Sequence, residues 1–181
     1  MSETATTGNA ARLILALQER TNGLAEALAK GVTQEFASSK PTKDGQEIDC
    51  NHATFIFGHL SIYPQMIMAA FNAEPGDAAV PANYSELFMH GVECKHDPDS
   101  TIYPSFDEVF SNFNKAHAAV RAHIASLDDD ALNQPITFNE RLAEVFGDCD
   151  KMTIFMLHDH YMFHLGQLST WRRFFGLGHA M

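Results

Sequence analysis

Apolar residues recur in steps of three and four along four separate stretches of this chain, and almost nowhere do they alternate with polar ones. That period gathers side chains on one face of an α-helix and speaks against half-buried strands. The first stretch runs from about Asn9 to Ala29, with Leu13, Leu17, Leu24 and Leu28 as its stripe. The second starts near Asn51, read as its N-cap, and ends near Phe71, ahead of Pro75 and Gly76. Pro64 inside it removes one backbone hydrogen bond and should kink it. The third opens at Ser105, with Glu108 three residues on as a capping box. It carries a bundle-type seam of Phe106, Phe110, Phe113, His117, Val120, Ile124 and Leu127. The fourth runs from about Asp148 to Phe175 and stops at the glycines of "GLG".

The connections, roughly 30–50, 72–104 and 128–147, are longer than the ~2–8 residues that join neighbouring antiparallel helices. The second is long enough to cross the length of a helix, which allows the second and third helices to run parallel. With 181 residues, 45% of them hydrophobic, the chain suits one packed core. The expectation is an all-α four-helix bundle with long crossover connections, residues 1–181 forming a single domain.

Charge and cysteine usage narrow the function classes. A net charge of -11 repels phosphate backbones and anionic lipids, so neither nucleic acid nor a membrane is expected as a partner. The most apolar stretch, "ATFIFGHLSIYPQMIMAAF", is interrupted by His59, Pro64 and Gln65, and the N-terminus does not read as a signal peptide. Cys50, Cys94 and Cys149 are odd in number and form no CxxC pair, which suits a reducing cytoplasm rather than a disulfide framework.

At 100° per residue, Thr153, Met156, Leu157, His160, His164, Gln167 and Trp171 share one face of the fourth helix, and His158 lies opposite. On the second, His59 sits in a stripe of His52, Phe55, Ile56, Tyr63 and Met66, with Thr54, Ser61 and Gln65 at the back. Facing stripes thus supply three inward histidines. A buried polar ring without a partner costs about 1–3 kcal/mol. A divalent metal answers that cost: three neutral imidazoles at about 2.0–2.1 Å from a zinc ion leave one position open. A hydrogen bond to a carbonyl answers it too, and His52 and His117 fit that reading. Zincin-type hydrolysis needs a glutamate after the first histidine, where this chain has Tyr161. Phe55, Met66 and Trp171 read as core; Arg173 suits either a substrate carboxylate or the helix dipole. The far face of the fourth helix, Phe155, Met162 and Leu165 beside His158, is apolar enough to need cover, so a homodimer is expected.

The segments "GHLSIYP", "YPSFDEVFSNFNKAHAAV" and "HYMFHLGQL", the last followed by "RRFFG", resemble the DinB/YfiT-like metalloenzyme superfamily: its first histidine, its HxxxHxGQ motif, and the Arg and Gly after that motif. The resemblance implies a bundle of up-down-down-up topology and a divalent metal held by His59, His160 and His164. Zinc or nickel ranks first as the ion, iron or manganese second. Gln167 would serve catalysis by orienting a ligand, unless it makes only a helix-packing hydrogen bond. Characterised relatives include thiol S-transferases and an isomerase, and many are dimers. The implied activity is transfer of a low-molecular-weight thiol to a small electrophile. The alternatives are a non-catalytic metal or small-ligand binding module, a stress-response helical dimer, and a helical dimer whose histidines are structural.

Overall fold

Almost every side chain of the second long helix lies inside the protein, and the other helices are arranged around it. The computed structural model describes residues 8–180. Its long helices are α1 (Asn9–Ala29), α2 (Ala53–Ala70) and α3 (Phe106–Ala125), followed by a run built of α4 (Cys149–Ile154), a π-helical turn (Phe155–Asp159) and α5 (His160–Phe174). None of the described helices is long and apolar enough to cross a membrane.

Within α2 only Gln65, Met66 and Ala69 escape burial. The polar back expected for it is therefore not a solvent face. Thr54 accepts a hydrogen bond from Ser38 Oγ (2.9 Å), Ser61 donates to the Phe57 carbonyl (2.6 Å), and Gln65 Oε1 accepts from the Val80 amide (3.4 Å). Met66, expected inside, is 37% exposed. The N-cap is His52, one residue beyond the expected Asn51: its Nδ1 accepts from the Phe55 amide (3.1 Å), and its Nε2 donates to the Lys95 carbonyl (3.0 Å). Helix α2 continues as one element through Pro64. The missing proline N–H frees the Leu60 carbonyl one turn earlier, and His117 Nε2 donates to it (3.1 Å). His117 Nδ1 in turn accepts from Gln18 Nε2 (3.3 Å). Both His52 and His117 are thus fold histidines.

Contacts between α2 and α3 advance in step: the Phe57 ring meets Phe106, Phe110 and Phe113, Leu60 meets His117, and Phe71 meets His123. Those between α1 and α5 do the same, from Asn22 with Tyr161 to Leu28 with Arg172. Against α5, α2 runs the other way, with Asn51 at Gln167 and Tyr63 at His160. The α3 seam lies inward as its spacing predicts, and Ser105 Oγ accepts from the Glu108 amide (3.3 Å).

Two faces differ from expectation. Helix α1 buries Ala11, Ile14, Gln18, Thr21, Ala25 and Leu28, leaving Leu13 57% exposed. Small residues let the helix approach closely, and Gln18 and Thr21 hydrogen-bond inside, an outcome that a leucine stripe hides. In α5 the buried residues include Tyr161, Leu165, Leu168 and Arg172, so Leu165 is core rather than part of a bare far face. Helix α5 is buried over a broad arc, so His164 and its neighbour Leu165 both lie inside.

The connections carry short elements. A two-residue antiparallel ladder pairs Thr42–Lys43 with Gln46–Glu47, and Asp44 and Gly45 both take positive φ, as a type I′ turn requires. Helix Tyr84–Phe88 lies in the second connection; Asp129–Leu132 and Glu140–Phe146 lie in the third. All three cysteines are free.

Burial pushes His117 down to about 3 and His52 to about 4, against 6.5 when unfolded. Between those values the unfolded chain binds protons that the folded chain refuses, so stability is full above pH 6.5 and falls as pH drops toward 4. Urea midpoints at pH 7 and 4.5 measure this. His117→Leu should lower the pH 7 stability by about 1–3 kcal/mol, through an unpaired Leu60 carbonyl, and should flatten the pH slope.

Candidate metal centre

The partner that orients His59 comes close because the preceding residue is Gly58. A Cβ at Gly58 would stand 2.6 Å from atoms of the Phe88 ring, so only glycine lets Phe88 lie flat against α2. The Phe88 carbonyl then accepts from His59 Nδ1 at 2.6 Å. That bond fixes the tautomer and turns the Nε2 lone pair of His59 inward. On α5, Gln167 Oε1 accepts from His164 Nδ1 (3.0 Å), one turn along the same helix, with the same effect on His164. His160, the first residue of α5 after the π-turn, lies between them. Its Nε2 stands 3.1 Å from His59 Nε2 and 3.0 Å from His164 Nε2.

Three imidazole nitrogens therefore converge from two helices, all within 4.8 Å of one another. Burial holds His59 down to about 4 and His160 to about 3, the neighbouring histidines adding to the shift, and burial also lowers His164. All three are neutral lone-pair donors at pH 7. Such a set fits a divalent ion suited to imidazole, such as zinc, nickel or iron. Buried His160 Nδ1 has no hydrogen-bond partner among the described residues. A single N–H on His160 Nε2 can serve one neighbouring lone pair but not both, which a shared cation would resolve.

The sequence-derived residues His59, His160 and His164 meet here, while Gln167 acts on the cluster through His164. The Gln167 carbonyl oxygen is shared with Asn51 Nδ2 (3.2 Å), so only its amide nitrogen is left for a ligand. His158 lies apart and donates to its neighbour Asp159 (2.8 Å). Tyr161 points away, its hydroxyl on Asn22 (2.9 Å). Arg173 is exposed and, among the described residues, bonds within its own helix to Ser169 and Thr170, whereas Arg172 is buried and donates to the carbonyls of Leu28, Lys30 and Leu177. The adjacent arginines thus divide the work, and the buried one closes the end of α1.

Sequence reading missed the role of Tyr63. Its hydroxyl lies 3.2 Å from His59 Nε2, and burial pushes it up to about 12. The i, i+4 spacing from His59 is the signal that could have revealed it. The cluster faces a cleft of about 320 Å³ lined by Asn51, Phe55, Met89, His90 and Phe163.

A family model described as the DinB superfamily matches residues 14–168. The chain belongs to the DinB superfamily. No curated protein and no solved structure matches it. The DinB match takes in the three histidines, Gln167 and Tyr63, and ends before Trp171 and Arg172.

Because Gln167 fixes the ring of His164, Gln167→Ala should weaken zinc binding about 10–100-fold. Asn51→Ala should have a smaller effect in the same direction. Competition with a chromophoric chelator measures both, and Gln167→Glu, which keeps the acceptor, should recover most of the loss.

Proposed function

We propose that the protein is a metal-dependent enzyme that transfers a low-molecular-weight thiol to a small electrophile. The observation that carries this reading is the convergence of three neutral Nε2 donors at the wall of an accessible cleft. The ion we infer is zinc or nickel, with iron or manganese as other occupants compatible with the donors. When bound, such an ion supplies a Lewis acid that lowers the pKa of a thiol to give a thiolate at neutral pH.

The chain's own groups do the rest. His59, His160 and His164 hold the ion. Phe88 and Gln167 keep two of those rings turned inward. With the His59 lone pair taken by a metal, Tyr63 would be free to donate a hydrogen bond to an anion in the adjoining space that it lines beside His160. Burial keeps the phenol protonated at pH 7. Gln167 Nε2 is a second donor for orienting a ligand. The helix order we infer is up-down-down-up, supported by the contacts of α2 with α3 and of α1 with α5 that advance in step.

We also propose that a second copy covers the groove between α1 and α5, where Leu17, Leu24 and Met162 lie beside His158. Sedimentation should show a dimer, and Met162→Glu should shift it to monomer.

Metal content of untagged protein, by mass spectrometry, tests the site. Near-stoichiometric metal should be present and should be lost in His160→Ala with the helical signal intact. In cobalt-substituted protein, glutathione, bacillithiol or mycothiol should change the visible spectrum. No response to any of the three would retire the transferase reading, and thiol binding without product would favour a sensor.

A further inference from the structure

A second chamber, of about 480 Å³, adjoins the histidine cleft and shares Met89, His90 and His160 with it. One wall is a run of aromatic rings: Phe146 to Phe155 at 5.1 Å between centroids, Phe155 stacked on His160 at 5.8 Å, and His160 against Tyr63 at 4.6 Å. The helix Glu140–Phe146, whose last residue begins that run, supplies a further part of the lining. It buries none of its residues, yet it turns Leu142, Val145 and Phe146 toward the chamber. Met66, Val145 and Phe155, 37%, 64% and 37% exposed, all stand on this lining. Large apolar side chains left in water and gathered around one concavity mark a ligand site.

The charge of the lining is as selective as its polarity. The chain has 23 acidic and 12 basic residues. Among the residues lining the chamber there is no carboxylate, and the single Lys or Arg is Arg141. Glu140 precedes it in sequence and Glu144 lies three residues on, but neither lines the chamber, and no ion pair occupies its guanidinium among the described residues. An unpaired guanidinium at an apolar wall suits a carboxylate, sulfonate or phosphate, which it can engage through two parallel N–H bonds.

We infer that this chamber binds a small organic anion with an aromatic or branched apolar body, its charged group at Arg141 and its body extending along the rings to His160. In the thiol-transfer reading, on which only this role rests, the anion is an electrophilic acceptor with an activated double bond: sulfur bonds to one carbon, the thiol proton goes to the other, and no group leaves. The thiol then enters through the neighbouring cleft, and the two meet at the edge of His160 beside Tyr63.

Two dyes with the same aromatic body separate the claims: 8-anilinonaphthalene-1-sulfonate, an anion, and N-phenyl-1-naphthylamine, which is uncharged. They are titrated by fluorescence into untagged full-length protein, with metal content measured on the same sample and helicity checked for each variant. One sulfonate dye should bind per chain. Arg141→Gln should weaken it about ten-fold while leaving the neutral dye unchanged. Val145→Glu, at an exposed position, should weaken both dyes, whereas Leu17→Glu, in the groove between α1 and α5, should affect neither. The inference is overturned if no dye binds, if Arg141→Gln is without effect, or if Leu17→Glu rather than Val145→Glu removes binding. Dye binding with this pattern in a protein that takes up no metal would leave the ligand class standing and sink the enzyme reading. Metal uptake without dye binding would do the reverse.

Discussion

Because α2 is enclosed on nearly all sides, every polar group it carries has to be answered from within the protein. This requirement organises the molecule. The Leu60 carbonyl, left over by Pro64, recruits His117 from α3, and His117 recruits Gln18 from α1. Thr54 recruits Ser38 from the first connection. His59 recruits the Phe88 carbonyl from the second connection, which Gly58 allows to lie against the helix. One interior helix is thereby tied to two long helices and to both connections that flank it. The inward lone pair of His59 is a by-product of the same satisfaction, since a ring bound at Nδ1 presents Nε2.

Much of this is legible in the chain. The four helical runs, the cap at Ser105, the α3 seam and the three converging histidines follow from periods of three and four, which report backbone geometry directly. The leucine stripe misplaces the buried face of α1 because hydropathy ranks leucine above glutamine and threonine. Gln18 and Thr21 are buried through hydrogen-bond partners that lie 99 and 136 residues away, at His117 and Leu157. A one-dimensional pattern holds no record of such partners. The N-cap falls at His52 rather than Asn51 for a similar reason: histidine caps poorly as a type, but here its other nitrogen is anchored by Lys95. Asn51, released from capping, supports Gln167 instead.

The arginines and tyrosines teach the same lesson at the level of single residues. Arg172 and Arg173 are indistinguishable by composition, yet their 100° separation sends one to the carbonyls of Leu28 and Lys30 and the other into solvent. Tyr63 and Tyr161 both lie close in sequence to a histidine of the cluster. Only Tyr63, a full turn from His59, reaches the site, while Tyr161, adjacent to His160, is carried to Asn22. Spacing along a helix, rather than proximity in sequence, decides which side chains share chemistry.

The π-turn at Phe155–Asp159 divides the last long helix into two segments with different phases on one axis. The first, α4, answers to a small core of Ala70, Ile136, Cys149 and Met152, and the second to α1 and the histidines. A chain that kept all three histidines but had one residue fewer in this turn would regain a regular α-helix there. Helices α4 and α5 would then be turned about 100° relative to one another and could not both keep their present faces. The site is in that sense a matter of counting as well as of composition: a single-codon deletion that removes no ligand would set the packing of α4 against that of the histidine-bearing helix.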